Sequence, residues 1–328
     1  MRMPISVLLL ISLLIIFGGC SADETRQPIS DTRLLLDTFC TITIYEPLDM
    51  SILEEAFDMC EEYEAMFSRT LEGSDIWQIN NASGSPVTVN PQTAALISAG
   101  LEIGYSSDGM FDITTGRLSS LWDFGGDDFS VPTESDLETA RTTANYRLVT
   151  VTDDTVQLAN AETWLDLGGI AKGYIADRLA EFLKERGVKG AVIDLGGDTA
   201  LIGVKPDGTR WRIGVRNPFG DSREVFGVVT TAEAAVVSSG IFERQFMEDG
   251  IHYHHILEPL SGFPARSDVV GVTLITESAT VGDAYSTALI IAGSERAHNM
   301  LEQIPGFIGA LLALDDGALL KYGSIDFQ

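Results

Sequence analysis

Thr280-Val281-Gly282-Asp283-Ala284-Tyr285-Ser286-Thr287-Ala288-Leu289-Ile290-Ile291-Ala292 is an apolar run that carries a single acid. Read as a helix, it places Asp283 and Thr287 four residues apart on one face. Ala284, Ala288, Leu289 and Ile291 make most of the remaining surface apolar, so the helix is expected to be largely buried. A carboxylate and a hydroxyl projecting together from a buried helix need partners, because an unpaired buried charge is costly. A hard cation such as Mg2+ accepts such oxygen ligands, with a phosphate completing its shell. Alternatively, Asp283 caps a neighbouring element and Thr287 bonds back to the carbonyl four residues earlier. On its own the stretch favours the second reading; the rest of the chain favours the first.

Working outward, strand-like segments precede this helix at 190–194, 199–204, 210–215, 225–231, 234–238 and 268–275. A short helix at 295–303 and two final strands follow it. Another helix is predicted from about Ile170 to Arg186, stopped by Gly187. In the first half, Leu34 to Tyr45 alternates and reads as one strand, and residues 21–32 as a tether. Ser51 to Met66 has helical spacing, with Leu53, Ala56, Phe57, Cys60 and Tyr63 facing inward. Phe67 to Asn80 reads as a loop with a short helical turn. Pro91 to Tyr105 is a second amphipathic helix, ended by the turn Ser106-Ser107-Asp108-Gly109. Gly125 to Glu138 is acidic and irregular, a surface excursion, and short strands surround 148–151 and 156–158. Strands clustered in the second half, with helices interspersed, predict an α+β fold in one continuous domain over residues 33–328.

The chain has 328 residues, of which 48 are Asp or Glu and 21 Lys or Arg, a formal charge of -27. Such a surface repels nucleic acid and anionic headgroups, so no nucleic-acid partner is expected, and a polyphosphate ligand needs cations or a local positive site. Arg2 precedes an apolar run from Ile5 to Phe17, then Gly18-Gly19-Cys20 and a polar stretch. A basic start, a short apolar core and small residues before a cut make a secretory signal over residues 1–19. Small residues directly before a cysteine resemble a bacterial lipobox, with lipid on Cys20 and residues 20–32 as the tether; Phe17 stands where that pattern usually has leucine. The expected location is therefore extracytoplasmic, on a membrane through an N-terminal lipid anchor. Cys40 and Cys60 fall amid apolar neighbours, as a disulfide or as two buried thiols.

Three further stretches carry chemistry-bearing side chains. Asp166-Leu167-Gly168-Gly169-Ile170-Ala171-Lys172-Gly173 lies between a strand and a helix. Glycine there lets backbone approach a ligand, the helix start offers free N–H groups to a phosphate, and Lys172 adds a positive charge. The same spacing also suits a plain strand-to-helix turn capped by Asp166. Met110-Phe111-Asp112 follows a turn, where an aromatic and an acid either hold a flat heterocycle or serve the core and the turn. His252-Tyr253-His254-His255 places His252 and His254 on one strand face and His255 on the other. A zinc pair at 252 and 254 lacks a further ligand nearby, while His255 suits an acid, base or ligand contact, or a structural role.

Taken in order, these motifs resemble one family. They are Thr38-Phe39, Phe67-Ser68 with Asn80, Ser107 to Asp112, Leu121-Trp122, Asp166 to Gly173, Asp194-Leu195-Gly196-Gly197-Asp198, Ser238-Ser239-Gly240, His255 to Gly262 and Asp283 to Thr287. The set resembles the ApbE family, the FAD:protein FMN transferases, over roughly residues 34–325. The resemblance implies an α+β fold with a tunnelling-fold-like core of antiparallel sheet and packed helices, FAD as substrate and Mg2+ as cofactor. By position it implies metal ligands at the Asp283 carboxylate, the Thr287 hydroxyl and the Gly169 carbonyl. FAD contacts would fall on Leu36, Met110, Phe111, Asp112, Asp166, Lys172 and Ile256, with His255 beside the diphosphate and, with Asp283, at the chemistry. The implied acceptor is a Ser or Thr hydroxyl of an extracytoplasmic redox subunit. Leu36-Asp37 replaces the family's usual Met-Gly, and Glu258 stands where Asp is usual. Hydrolysis of FAD to FMN and AMP, FAD storage without turnover, and solute binding without a metal-diphosphate site are the competing readings.

Overall fold

The computed structural model describes residues 27–124, 130–219 and 224–328. The expected signal sequence, Cys20 and most of the tether lie outside these residues, as does part of the acidic excursion.

A hairpin joins β1 (Ile29–Leu35) to β2 (Thr38–Ile44), and α1 (Ser51–Phe67), α2 (Asp75–Asn81), β3 (Val87–Thr88), α3 (Pro91–Ser106) and α4 (Gly116–Trp122) follow. Next come α5 (Glu134–Arg141), the hairpin of β4 (Val149–Thr152) and β5 (Thr155–Leu158), and α6 (Ala171–Glu185). Strands β6 (Gly190–Leu195), β7 (Asp198–Gly203), β8 (Trp211–Arg216), β9 (Val225–Thr231) and β10 (Ala234–Gly240) lead to a hairpin of β11 (Gln245–Glu248) and β12 (Ile251–His254). Last are β13 (Val269–Thr276), α7 (Ala279–Leu301), β14 (Phe307–Leu314), β15 (Leu319–Gly323) and β16 (Asp326–Phe327).

Eight strands form one antiparallel sheet in the order β1-β2-β6-β7-β10-β13-β14-β15. Side chains alternate across it, so Val237 and Leu274 join the helix-side core while Val236 and Ile275 face the other way. Helices α1, α6 and α7 cover the first face. On the second, the sheet β16-β9-β8 packs Trp211 and Val229 against Leu201, Val236 and Leu311. The molecule is a mixed α+β domain, as the sequence pattern predicts, and its large antiparallel sheet is the one that the resemblance implies.

Several boundaries differ. The expected first strand is a hairpin folded at Leu36 and Asp37, which both take positive φ (55° and 57°). Strand β1 begins at Ile29, so residues 29–32 belong to the sheet and not to the tether. The second half of the acidic excursion is helix α5, started by the Thr133 hydroxyl, which accepts from Asp136 N. Helix α7 spans both expected C-terminal helices and breaks between them at Gly293 (φ 74°). Cys40 and Cys60 are free, buried thiols, pushed up by burial to about 11 and about 12.

Two glycines set the spacing of the helices that carry the candidate residues. A Cβ on Gly173 of α6 would lie 2.2 Å from the Ala279 carbonyl oxygen and 2.8 Å from Asp283 Cβ. One on Gly282 of α7 would lie 2.7 Å from Val237 Cγ2 in the sheet. The start of α7 is held by Asp177 of α6, whose carboxylate accepts from the Ser278 hydroxyl (2.7 Å), Ala279 N (2.8 Å), Thr280 N (3.0 Å) and the Thr280 hydroxyl (2.7 Å). A carboxylate satisfies orphan N–H groups and complements the positive end of the helix dipole. Gly173→Ala should destabilise the protein by about 1–3 kcal/mol, as overpacking does when backbone cannot give way. Urea unfolding monitored by tryptophan fluorescence checks this.

Candidate functional site

Asp283 and Thr287 stand one turn apart on α7, at the end of the sheet where β10 finishes. Asp283 is buried, and its Oδ2 accepts from Gly173 N at 3.0 Å and lies 3.5 Å from Lys172 Nζ. That first bond has a consequence for Gly169. Tyr174 N bonds to Ile170 O in the usual helical register, but Gly173 N is given to Asp283, so no protein donor among the described residues reaches Gly169 O. Gly169 itself sits beside α7: a Cβ there would lie 3.2 Å from Phe111 Cε2 and 3.9 Å from Thr287 Oγ1.

The back-bond anticipated for Thr287 is made by its neighbour. Ser286 Oγ donates to Asp283 O at 2.8 Å and pairs with Ser239 Oγ of β10 at 2.7 Å. Thr287 Oγ1 is half-buried and has no hydrogen-bond partner among the described residues. One carboxylate, one hydroxyl and one carbonyl thus converge with oxygen atoms available, a hard-cation donor set. The described residues hold no cluster of three or more His, Cys, Asp or Glu suited to a metal, so a bound cation would need other oxygens, such as a phosphate, to complete its shell.

Lys172 supplies the local positive charge. Its Nζ is 2.6 Å from Asp198 Oδ2, at the start of β7, as well as 3.5 Å from Asp283. Burial works against its charge, but the two carboxylates outweigh it and hold the amine above its ordinary range. Burial, reinforced by the Asp283 carboxylate, raises the Asp198 carboxyl, and Lys172 opposes that rise.

Asp166 serves the loop before α6. Its Oδ1 accepts from Gly168 N at 2.9 Å, and its Oδ2 meets Arg69 Nε at 3.2 Å. Arg69 also donates to the Ser120 hydroxyl at 2.9 Å. Asn80 clamps the residue just before Asp166, donating to Leu165 O (3.0 Å) and accepting from Leu165 N (2.7 Å). Of the 110–112 group, Met110 is partly buried, Phe111 is core beside Gly169, and Asp112 is turned inward. The Asp112 carboxylate accepts from Thr114 N and Oγ1 and from Tyr146 N, and burial raises its pKa against those bonds. Its side chain therefore braces the turn and ties it to the segment at Tyr146, in line with the structural role among the two the sequence leaves open. Leu36, at the tip of the first hairpin, packs partly against the core.

The histidines divide. His254 is buried with Nε2 on Ala265 O at 3.0 Å, and His252 pairs with Gln245; the described residues place no third His, Cys, Asp or Glu with them to complete the zinc pair that the sequence pattern allows. His255 donates its backbone N–H to Arg244 O at 3.0 Å, and its ring Nδ1 is buried without a hydrogen-bond partner. Burial, with the charges of Arg244, His254 and Lys172, lowers its pKa to about 4. Ile256 is buried one residue on. Sequence reading misses Arg69, Asp177 and the part played by Asp198. Arg69 directly follows the Phe67-Ser68 motif and Asp198 closes the Asp194–Asp198 motif, so both signals were adjacent; Asp177 sits mid-helix with none.

The chain is similar to proteins of established kind over most of its length. The FAD:protein FMN transferase of Treponema pallidum (strain Nichols) is 32% identical, with 94% of this chain and 91% of that protein covered. The FAD:protein FMN transferase of Vibrio cholerae (strain O395) is 29% identical, with 96% of each covered. Among solved structures, the ApbE protein of Thermotoga maritima superposes with a TM-score of 0.83 at 33% identity, covering 90% of this chain and 97% of that one. The flavin transferase ApbE of Vibrio cholerae gives 0.81 at 27% identity, covering 91% and 97%. With the ApbE family model matching residues 36–312 as well, this chain belongs to the ApbE family.

Proposed function

We propose that this chain is an FAD:protein FMN transferase, moving FMN from FAD to a Ser or Thr hydroxyl of an extracytoplasmic redox protein with release of AMP. The observation that carries the reading is the convergence of Asp283, Thr287 and Gly169 O beside the Lys172 ammonium, in a chain whose relatives bear that activity by name. Gly169 O, the Asp283 carboxylate and the Thr287 hydroxyl would hold Mg2+, whose chemistry there is to neutralise a diphosphate and the charge developing on the leaving AMP.

The chain's own groups account for the rest. Lys172 faces the same diphosphate with a fixed positive charge in an otherwise acidic protein. Met110 and Leu36 offer apolar surface for the flavin side, backed by the core ring of Phe111, with Asp166 and Ile256 at its margins. The acceptor hydroxyl oxygen bonds to the FMN phosphorus, the P–O bond to AMP breaks, and the hydroxyl proton passes to a base. His255 fits that last role, because its ring is neutral at pH 7 and its buried Nδ1 is unclaimed. With water in place of the acceptor, the same arrangement would hydrolyse FAD to FMN and AMP. We read the eight-stranded sheet and its helical layer as a tunnelling-fold core. We also read residues 1–19 as a cleaved signal, Cys20 as the lipidated residue and the stretch up to Pro28 as the tether to the outer face of a membrane.

Asp283→Ala should abolish Mg2+-dependent transfer while leaving a folded protein. Intact-mass analysis of a Ser/Thr acceptor peptide incubated with FAD and Mg2+ checks this: the wild type adds one FMN and the variant none. Appearance of AMP and free FMN with an unmodified acceptor would assign the hydrolase instead. His255→Gln should lower transfer by about 10²–10⁴-fold, the usual worth of a general base. Because burial holds His255 near 4, the reactive neutral ring persists as the medium is acidified through the ordinary histidine range. The acid limb of kcat/KM should therefore not fall between pH 7.5 and 5.5, and a half-loss near 6.5 would count against His255 as the base. Replacing Cys20 with Ala should move the mature protein from the membrane fraction to the soluble one on detergent-free fractionation.

A further inference from the structure

Lys172 stands between two buried carboxylates, and it is closer to the one without an assigned role. Its Nζ is 2.6 Å from Asp198 Oδ2 and 3.5 Å from Asp283 Oδ2. Asp198 is 3% exposed, fixed at the first position of β7 by its register opposite Val237. The turn before it is closed by Asp194 Oδ1, which accepts from Gly197 N at 3.0 Å, and Ser238 N bonds to Gly197 O at 3.1 Å. The carboxylate is thus anchored to the sheet, while the lysine that it meets is on a flexible stem.

We propose that Asp198 is a positioning residue that holds the Lys172 ammonium off Asp283, keeping the Asp283 carboxylate open to a divalent cation and Lys172 turned toward a bound polyanion. This rests on the reading of Asp283, Thr287 and Gly169 as a Mg2+ site. Two opposite charges in a desolvated site attract strongly, and an ammonium freed from Asp198 has Asp283 as its nearest anion. Collapse onto it would occupy the lone pairs that a cation needs and would set a positive charge against the incoming ion. Asp198 therefore acts on the metal through Lys172, without touching the metal itself.

The test is a Mg2+ titration of four proteins: wild type, Asp198→Asn, Lys172→Met and the double variant. Binding is read as the rise in melting temperature with Mg2+, in the presence and absence of FAD. Asp198→Asn should need about tenfold more Mg2+ for half of the shift, a change of about 1.4 kcal/mol. The double variant should return to within about twofold of Lys172→Met, because no ammonium remains to take the carboxylate. A structural part in the β6–β7 turn would leave the double variant as weak as Asp198→Asn, and that result, or an unchanged Asp198→Asn, overturns the proposal. If Asp198→Asn does not fold, Asp198→Ser replaces it in the same cycle, and the same outcomes support or overturn the proposal. A wild type whose melting temperature Mg2+ never raises, with or without FAD, would overturn the metal reading itself.

Discussion

The contact of α6 with α7 is the constraint from which the rest of the site follows. At Gly173 the two backbones approach so closely that no side chain fits between them, and the Gly173 N–H reaches Asp283 Oδ2 at 3.0 Å. This single bond ties a loop-to-helix junction to a buried acid on a different helix. It also takes a donor away from Gly169 O and places Lys172, the preceding residue, against α7. Asp177, one turn further along α6, fixes the register of the contact by accepting four hydrogen bonds from the first residues of α7. A carboxylate with that many donors is held in one rotamer, so the helices meet at a set height and not over a range.

Charge explains why the site has this composition. A chain with a formal charge of -27 presents an unfavourable field to a diphosphate. Acids also crowd the site itself, since Asp166, Asp198 and Asp283 all lie within reach of its few cations. Each cation near them is already engaged: Arg69 with Asp166, and Lys172 with Asp198 and Asp283. A net addition of positive charge, such as a divalent ion would bring, favours anion binding at this cluster. The Mg2+ dependence proposed above is in keeping with this charge balance.

Much of the sheet was legible because strands repeat every two residues, and a buried face stamps that period on the sequence. Helices α1, α3 and α6 carry enough turns for their spacing to show, whereas α2, α4 and α5 have seven or eight residues and do not. The first hairpin was hidden for a different reason. Its turn asks two residues for positive φ but uses Leu36 and Asp37 in place of glycine or asparagine, so the usual punctuation is missing. At the site, the pairing of Asp283 with Thr287 was readable from helical geometry alone. The choice between Ser286 and Thr287 as the residue that bonds back to Asp283 O was not, because both hydroxyls are within reach of the preceding turn and only tertiary packing against Ser239 decides. Asp112 shows the converse: a motif residue whose carboxylate is engaged by its own turn at Thr114 and by Tyr146 N of a distant segment.

The two adjacent histidines sharpen the distinction between packing and chemistry. Both are held near 4 by burial, and both have a buried Nδ1 without a partner, which costs about 1–3 kcal/mol in each case. His254 recovers part of that cost through Nε2 on Ala265 O, a contact that binds β12 to the following loop. His255 has no such ring bond, and it lies just past the end of β12, in a bend and not on the strand that the sequence pattern extends to it. The Lys172 charge is among the causes that lower His255, which links this ring electrostatically to the Lys172–Asp283 pair. An imidazole kept neutral, unbonded and within the field of the ammonium has gained nothing for stability. What it retains is a lone pair, which the base in the proposed transfer requires.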